Sequence, residues 1–433
     1  MNIPTIDLPR VVVIGAGFAG LKLARQINSN HYQVVLIDKN NYHTFQPLLY
    51  QVASAGLEPD SIAYPIRKIL RKKKNTHFRM TAVKNIDLEA KIIDTSIGEL
   101  AYEKLVIATG AGNNFFDNTS VEMGSLPMKS LIEALDLRSK VLQNFEAALN
   151  TTDLNERDKL MSFVIVGAGP TGVELAGALA ELKNKILPHD FPDLDFRRMK
   201  IHLVEADDRV LVAMDEKSSN KALDYLKKLG VHIWTKTFVE DYQNGIVTTN
   251  GQNFEAETLI WAAGVKGNIP AGIDAEQIGR GNRIITNEYC QVKNHESVYV
   301  LGDAGLIQSE KYPDGLPMLA SVAMQQGAYL AKVFNRKARK KEIKPFEYTD
   351  KGSMATVGKN LAVVELKKFK FQGTFAWLVW MFVHLMLLVG FRNRVVVFIN
   401  WTWNYFRYNN GLRLIVRPYK RKKGKKQSKH SAA

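Results

Sequence analysis

An α/β fold, with two Rossmann-like dinucleotide-binding domains and a C-terminal amphipathic helical region, is predicted by three features of the 433-residue sequence. Residues 11–14 are an apolar run ending in Gly15-Ala16-Gly17-Phe18-Ala19-Gly20. Residues 163–166 repeat the pattern, ending in Gly167-Ala168-Gly169-Pro170-Thr171-Gly172. Residues 375–390 are the most apolar stretch of the chain and stand close to a lysine-rich end. A short apolar run leading at once into a glycine-rich turn and a helical pattern is the signature of a strand–turn–helix nucleotide site.

In the first copy, Gly15 permits the tight turn, Gly17 lets the backbone approach a pyrophosphate, and Gly20 lets the helix lie close on the strand. The helix N-terminus adds unpaired N–H groups and the positive end of its dipole. Residues 33–37 form the next strand and end in Asp38, where a carboxylate accepts from a ribose hydroxyl, with Lys39 beside it. Residues 41–53, which include His43 and Gln46, have no clean period and read as a loop running into a helix. Loops at the carboxyl ends of parallel strands are where ligands lie, although His43 alone reads as a satisfied histidine. Residues 66–74 read as a basic helix end and residues 78–94 as an antiparallel excursion. Residues 104–108 then form a strand leading to a small-residue turn at Thr109-Gly110.

The second copy follows a polar helical stretch from about residue 130. Its paired strand, residues 202–204, ends in Glu205; a loop insertion at 185–198, with Pro188 and Pro192, explains the longer spacing. Both glycine sets and both acids are intact, so two live sites are expected. A carboxylate at Glu205 accepts from the free 2′-hydroxyl of NADH and repels the 2′-phosphate of NADPH. Asp207 and Asp208 reinforce that repulsion, and Arg209 opposes it. Residues 258–262 repeat the strand-then-turn pattern into Ala263-Gly264. Residues 298–301 give a strand into Gly302-Asp303, where a carboxylate can hold a sugar-alcohol chain such as the ribityl of FAD. A helix from about residue 319 to 335 then points its dipole at the flavin ring.

Hydrophobic content of 46% with 24% charged residues describes a folded chain. The net charge of +16 is concentrated at the end, where residues 417–433 carry eight Lys/Arg and no acid. That run suits anionic lipid headgroups; neither nucleic acid nor metal is an expected partner. The single cysteine, Cys290, excludes an intrachain disulfide and a Cys-x-x-Cys pair. It is expected as a small buried thiol on a strand at 289–292. Only ten residues precede Val11, too few for a secretory leader, and no Arg/Ser-rich transit segment stands there, so a cytoplasmic body is expected.

Together these motifs resemble the disulfide-reductase-type flavoprotein fold. Within it the chain resembles the type II NADH:quinone oxidoreductases, single-subunit, non-pumping respiratory dehydrogenases. The resemblance extends over nearly the whole chain. It is carried by residues 45–52 (Phe-Gln-Pro-Leu-Leu-Tyr-Gln-Val), by Gly169-Pro170-Thr171-Gly172-Val173-Glu174, and by the C-terminal aromatic region. It implies FAD on Gly15, Gly17, Gly20, Asp38, Lys39, Thr109, Gly110, Gly302 and Asp303. It implies NADH on Gly167, Gly169, Gly172, Glu174, Glu205, Ala263 and Gly264. Glu174 is the ionisable group expected in catalysis, orienting the nicotinamide or relaying a proton. The family's quinone signature, Ala-Gln-x-Ala-x-Gln, stands here as Ala320-Ser321-Val322-Ala323-Met324-Gln325, with Ser321 in place of the first glutamine. The implied quinone contacts are Gln46, Ala320, Ser321, Gln325 and Lys370. The implied acceptor is a membrane quinone, menaquinone or ubiquinone, and the sequence leaves open whether a homodimer forms.

Residues 371–391 are uncharged and long enough to span a bilayer. A single crossing would put the lysine-rich tail outside, against the positive-inside bias, and residues 395–406 are too short to return the chain. An interfacial helical hairpin meets both constraints. It would set Trp377, Trp380, Trp401, Trp403 and Tyr405 at headgroup level, and Arg392, Arg394 and the tail on anionic lipid. The expected location is the cytoplasmic face of the cell membrane, peripheral or monotopic. Expected boundaries are 1–125 and 283–345 for the FAD domain, 126–282 for the NADH domain and 346–433 for membrane association. Two rival readings stand. A soluble flavin-dependent NADH reductase of a small redox protein would not need the aromatic tail, and a redox-dependent binding protein would not turn NADH over with a quinone.

Overall fold

A computed structural model describes residues 1–407 and 412–420, and the chain divides into two compact units. The first comprises Met1–Thr44, Ala63–Asn113 and Val265–Lys351. The second comprises Phe45–Ile62, Asn114–Gly264 and Gly352–Ala433.

The first unit is built on a six-stranded sheet. Arg10–Ile14 pairs in parallel with Gln33–Asp38 on one side and with Lys104–Ile107 on the other. Thr76–Met80 and His295–Val300 extend the sheet, also in parallel. The three central strands, Arg10–Ile14, Gln33–Asp38 and Lys104–Ile107, carry near-continuous Val/Ile/Leu runs because both faces are covered. Val11 and Val13 face the helices Phe18–Gln26 and Ala320–Lys337, while Val12 and Ile14 face the antiparallel excursion. The excursion begins and ends later than the expected residues 78–94. Phe78 belongs to the parallel sheet, its residue paired with Leu36, and the antiparallel strands are Val83–Asp87, Ile92–Thr95 and Leu100–Ala101. Cys290 is buried as expected, but it lies in a left-handed turn (φ +62°) before Gln291–Val292 rather than on a strand. Burial pushes its thiol up, so it is inert as a nucleophile.

The second unit carries a five-stranded parallel sheet in the order Leu126–Pro127, Thr258–Trp261, Ser162–Val166, Lys200–Val204, His232–Trp234. The 185–198 insertion is partly helical, with Leu187–Asp190 and Phe196–Arg198, because Phe191 and Phe196 both pack on Phe145. Helix Pro170–Lys185 leaves the glycine turn and lies on Ser353–Gly358, the first strand of a three-stranded antiparallel sheet with Leu361–Glu365 and Lys370–Gln372. That contact is backbone to backbone: a Cβ on Gly177 would stand 1.7 Å from the Val357 carbonyl oxygen.

The late apolar run is broken, not continuous. Thr374–Leu387 is a helix of 14 residues, Gly390 turns the chain at φ +90°, and Phe391–Arg407 returns antiparallel, with Trp377 against Tyr405 and Trp380 against Trp401. No helix among the described residues is long and apolar enough to cross a membrane. Trp380 and Trp401 correct the expectation for the headgroup belt. Both are buried, at 1% and 8% exposure, because Trp380 stacks on His384 and the Trp401 indole donates to Gln51 Oε1. The exposed apolar face is instead carried by Phe375, Phe382, Phe391, Phe398 and Phe406. Arg413 pairs with Asp190 and Arg417 with Asp136, tying the chain end back to the second unit. From residue 421 the basic tail lies outside the described residues.

Replacing Gly177 by alanine forces the helix and strand apart, an overpacking that costs about 1–3 kcal/mol. Gly177→Ala should lower the unfolding temperature by several degrees in a thermal melt; an unchanged melt would mean that the two backbones do not touch.

Candidate active site

In the first cradle Gly15 has φ +102°, and a Cβ there would stand 2.2 Å from the Ala108 carbonyl oxygen. A Cβ on Gly20 would meet the Gly15 carbonyl oxygen at 1.9 Å, so the helix closes directly on its own turn. At Gly17 and Gly110 an added Cβ would meet nothing within 4 Å, and this open ground is what a pyrophosphate needs. Asp38 binds the turn itself: Oδ2 accepts from the Ala16 N–H at 2.7 Å and Oδ1 from the Asn40 N–H at 2.7 Å. Burial raises its carboxyl, opposed by these two N–H groups and by Lys39. His43 is a satisfied histidine, as expected, with Nδ1 2.9 Å from the Ala16 carbonyl oxygen. Thr109 Oγ1 donates to the Asn268 carbonyl at 2.5 Å.

The Gly302-Asp303 turn is held by a residue that no motif in the sequence singles out. The Gly302 N–H donates to Gln326 Oε1 at 2.6 Å, and Gln326 is 1% exposed. Its signal was its position: it falls four residues after Val322 on the buried face of Ala320–Lys337.

The second cradle repeats the first. Gly167 has φ +97°, Gly172 closes on the Gly167 carbonyl oxygen, and Gly169 faces open space. Glu205 Oε2 accepts from the Ala168 N–H at 2.5 Å and Oε1 from the Asp207 N–H at 3.1 Å. The Arg209 guanidinium donates to the Met214 and Val212 carbonyls at 2.9 and 3.0 Å. Ala263 and Gly264 follow Thr258–Trp261, and the Gly264 carbonyl accepts from the Asn114 N–H at 3.0 Å.

Glu174 lies one turn beyond the glycines and faces the C-terminal sheet rather than the dinucleotide turn. Its Oε1 accepts from the Thr356 N–H at 3.4 Å. Burial pushes its carboxyl up to about 8; the Thr356 N–H and, less directly, the Trp380 indole oppose the shift. It lines a cavity of about 160 Å³ with Tyr50, Gln51, Lys359, Trp380 and Trp401. Gln51 links two of these walls, donating to the Tyr50 hydroxyl and accepting from Trp401, both at 2.8 Å. Trp380 Nε1 and Asn404 Oδ1, on the same cavity, have no partner at hydrogen-bonding geometry.

The expected quinone contacts are differently placed. Ala320 opens its helix, Ser321 Oγ is 3.1 Å from the Tyr348 hydroxyl, and the Gln325 amide pairs at both ends with the Thr349 backbone at 2.9 and 3.0 Å. Gln46 is exposed at the start of a short 3₁₀ turn. Lys370 is not on the cavity: it lies on the third strand of the C-terminal sheet and pairs with Asp215 at 2.9 Å. The cation on the cavity is Lys359, whose Nζ donates to the Tyr405 carbonyl at 2.6 Å. No cluster able to hold a metal ion exists among the described residues.

Two glycine cradles on parallel sheets, each closed by an acid, define a two-dinucleotide oxidoreductase. Residues 9–327 match the family described as pyridine nucleotide-disulphide oxidoreductase, and residues 351–407 match the NDH2 C-terminal domain. The chain is 34% identical over 427 residues to the type II NADH:quinone oxidoreductase Ndh of Mycobacterium tuberculosis, covering 94% of this chain and 91% of that one. It is 29% identical over 360 residues to the type II NADH:quinone oxidoreductase of Staphylococcus aureus, covering 81% and 88%. The NDH2 of Plasmodium falciparum, solved in complex with NADH, shares the fold at a TM-score of 0.86 and 22% identity, over 94% of this chain and all of that one. The chain belongs to the type II NADH:quinone oxidoreductase family.

Glu174 keeps its proton to about pH 8 when folded and loses it near the ordinary carboxyl value when unfolded. Unfolding between those limits therefore releases a proton, and stability falls as pH rises. Glu174→Gln should flatten that decline, so that the variant gains in unfolding temperature over the parent from pH 5 to pH 8. Parallel melting curves across the range would remove Glu174 as a buried neutral acid.

Proposed function

We propose that this chain is a flavin-dependent NADH:quinone oxidoreductase that takes a hydride from NADH and delivers two electrons to a membrane quinone without pumping protons. The observation that carries this reading is the duplicated cradle, each copy closed by a carboxylate on a turn amide. Gly15, Gly17, Gly20, Asp38, Lys39, Thr109, Gly110, Gly302 and Asp303 would hold FAD, and the open ground at Gly17 and Gly110 fits it. Bound there, FAD supplies a two-electron relay between hydride donor and quinone. Gly167, Gly169, Gly172, Glu205, Ala263 and Gly264 hold NADH. Glu205 takes the ribose hydroxyls, and Arg209 is engaged by the Met214 and Val212 carbonyls.

The reaction consumes one NADH, one proton and one quinone, and yields NAD⁺ and quinol. Glu174, neutral at physiological pH, is the group placed to give that proton and recover it through its cavity. Gln46, Ala320, Ser321 and Gln325 remain the proposed quinone contacts; Lys370 is taken up by Asp215, and the cation on the Glu174 cavity is Lys359. The outer face of the C-terminal hairpin, Phe375, Phe382, Phe391 and Phe398, lies on lipid at the cytoplasmic surface, and Arg392 and Arg394 suit anionic headgroups.

The purified yellow protein should oxidise NADH far faster than NADPH, and only with a soluble quinone analogue present; failure with both nucleotides would end the proposal. Glu205→Ala should raise KM for NADH roughly tenfold or more, as expected for a hydrogen bond to a charged group, while bound flavin stays in place. Loss of flavin instead would mean that the two cradles are assigned the wrong way round. Phe382→Asp with Phe398→Asp should abolish pelleting with anionic vesicles; a dissociated dimer with intact pelleting would make that face a subunit interface.

A further inference from the structure

The loop leading into the second unit holds an aromatic side chain in a conformation that aromatic side chains rarely adopt. Phe116 and Asp117 both have left-handed backbone, at φ +51° and +59°. Asn114 holds them there. Its N–H donates to the Gly264 carbonyl at 3.0 Å, its Oδ1 accepts from the Phe116 N–H at 3.0 Å, and its carbonyl accepts from Trp261 Nε1 at 2.8 Å. The outcome is a phenyl ring seated on the Gly264 turn. A Cβ on Gly264 would come within 2.9 Å of Phe116 Cζ, and Trp261 meets the ring at 6.4 Å. The missing side chain at Gly264 therefore makes room for Phe116, not only for a dinucleotide. Phe116 is nevertheless 62% exposed, so the ring has one side packed and the other open.

Packing alone does not account for a strained backbone that presents a large apolar ring to solvent; strain of this kind collects at binding sites. The ring's place in the sheet says what binds. The Ser162–Val166 strand, whose turn takes the pyrophosphate, has Lys200–Val204 and Glu205 on one side and Thr258–Trp261 on the other. Glu205 takes the adenosine ribose, so the nicotinamide half must extend over the carboxyl end of Thr258–Trp261, where Phe116 sits. Resting on the NADH reading above, we infer that Phe116 is the aromatic platform that seats the nicotinamide nucleoside of NADH. A flat heterocycle gains from lying on a fixed ring in offset or edge contact.

The test uses the full-length flavoprotein with Phe116→Ala, Phe116→Leu and Phe116→Tyr. Each is assayed for NADH oxidation with a soluble quinone and for competitive inhibition by ADP-ribose, which has the adenosine and pyrophosphate but no nicotinamide. Phe116→Ala should raise KM for NADH roughly fivefold with a smaller change in kcat, and leave the ADP-ribose inhibition constant unchanged. Phe116→Tyr should restore KM. Phe116→Leu, which keeps bulk on Gly264 without a flat face, should behave as the alanine variant does and serves if that variant fails to fold. An unchanged KM, or equal weakening of NADH and ADP-ribose, would overturn the inference. Turnover by the parent protein in the same assay separates that outcome from a failure of the proposed activity itself.

Discussion

A hydrogen bond made once in each unit, from an amide inside the glycine turn to the carboxylate ending the next strand, holds the arrangement on which the rest depends. In the first unit it runs from Ala16 to Asp38 and in the second from Ala168 to Glu205. Both alanines are 1% exposed, so neither amide has water as an alternative partner. Left unpaired, each would cost about 1–3 kcal/mol, and a charged acceptor makes the bond stronger than a neutral one. The acid at that position is thus fixed twice over. In the proposed reading it recognises a ribose, and it also sets the turn against the neighbouring strand so that the glycines face open ground. The second carboxylate oxygen is bound as well, to the Asn40 and Asp207 amides, which keeps each acid in one orientation.

The proton chemistry proposed for Glu174 follows from packing several residues away. Gly177 lets the helix Pro170–Lys185 lie flush on Ser353–Gly358, and that approach brings the Thr356 N–H to Glu174. It also takes the carboxyl out of water, which disfavours its charged form and raises it to about 8. A side chain at 177 would lift the helix, admit water and return Glu174 toward an ordinary acid. Stability and reactivity at this site therefore share one backbone contact.

Features set by local chemistry were legible in the sequence. Both glycine turns, both terminal acids and the small turns at Thr109-Gly110 and Ala263-Gly264 are encoded within a few residues, and the structure places them at strand ends as read. Features set by a distant partner were not. Gln326 looks like any polar helix residue until Gly302 is known to lie against it, and Lys370 looks free until Asp215 is found beside it. Cys290 was expected on a strand because its neighbours are strand formers, yet the turn is set by Asn287, whose side chain accepts from the Tyr289 and Gln291 amides. The direction of Glu174 was hidden for the same reason, since the strand that it faces lies far along the chain.

The C-terminal hairpin shows how faces are sorted when hydropathy offers no contrast. Along Thr374–Leu387 the buried positions are Ala376, Trp380 and His384, four residues apart, while Phe375, Leu378, Phe382 and Met386 are exposed. Both faces are apolar, so a hydropathy pattern cannot tell them apart. What separates them is hydrogen-bonding capacity. His384 bonds the Trp380 carbonyl at 2.8 Å, and on the partner helix Trp401 bonds Gln51, whereas Phe375, Leu378, Phe382 and Met386 carry hydrocarbon or thioether only. Water would tolerate either arrangement, but hydrocarbon tolerates only the second, because a polar tip there finds no partner. A face cleared of such tips, above a buried layer that keeps them, is what this first helix needs if it is to lie on lipid and still wall a cavity lined by Glu174.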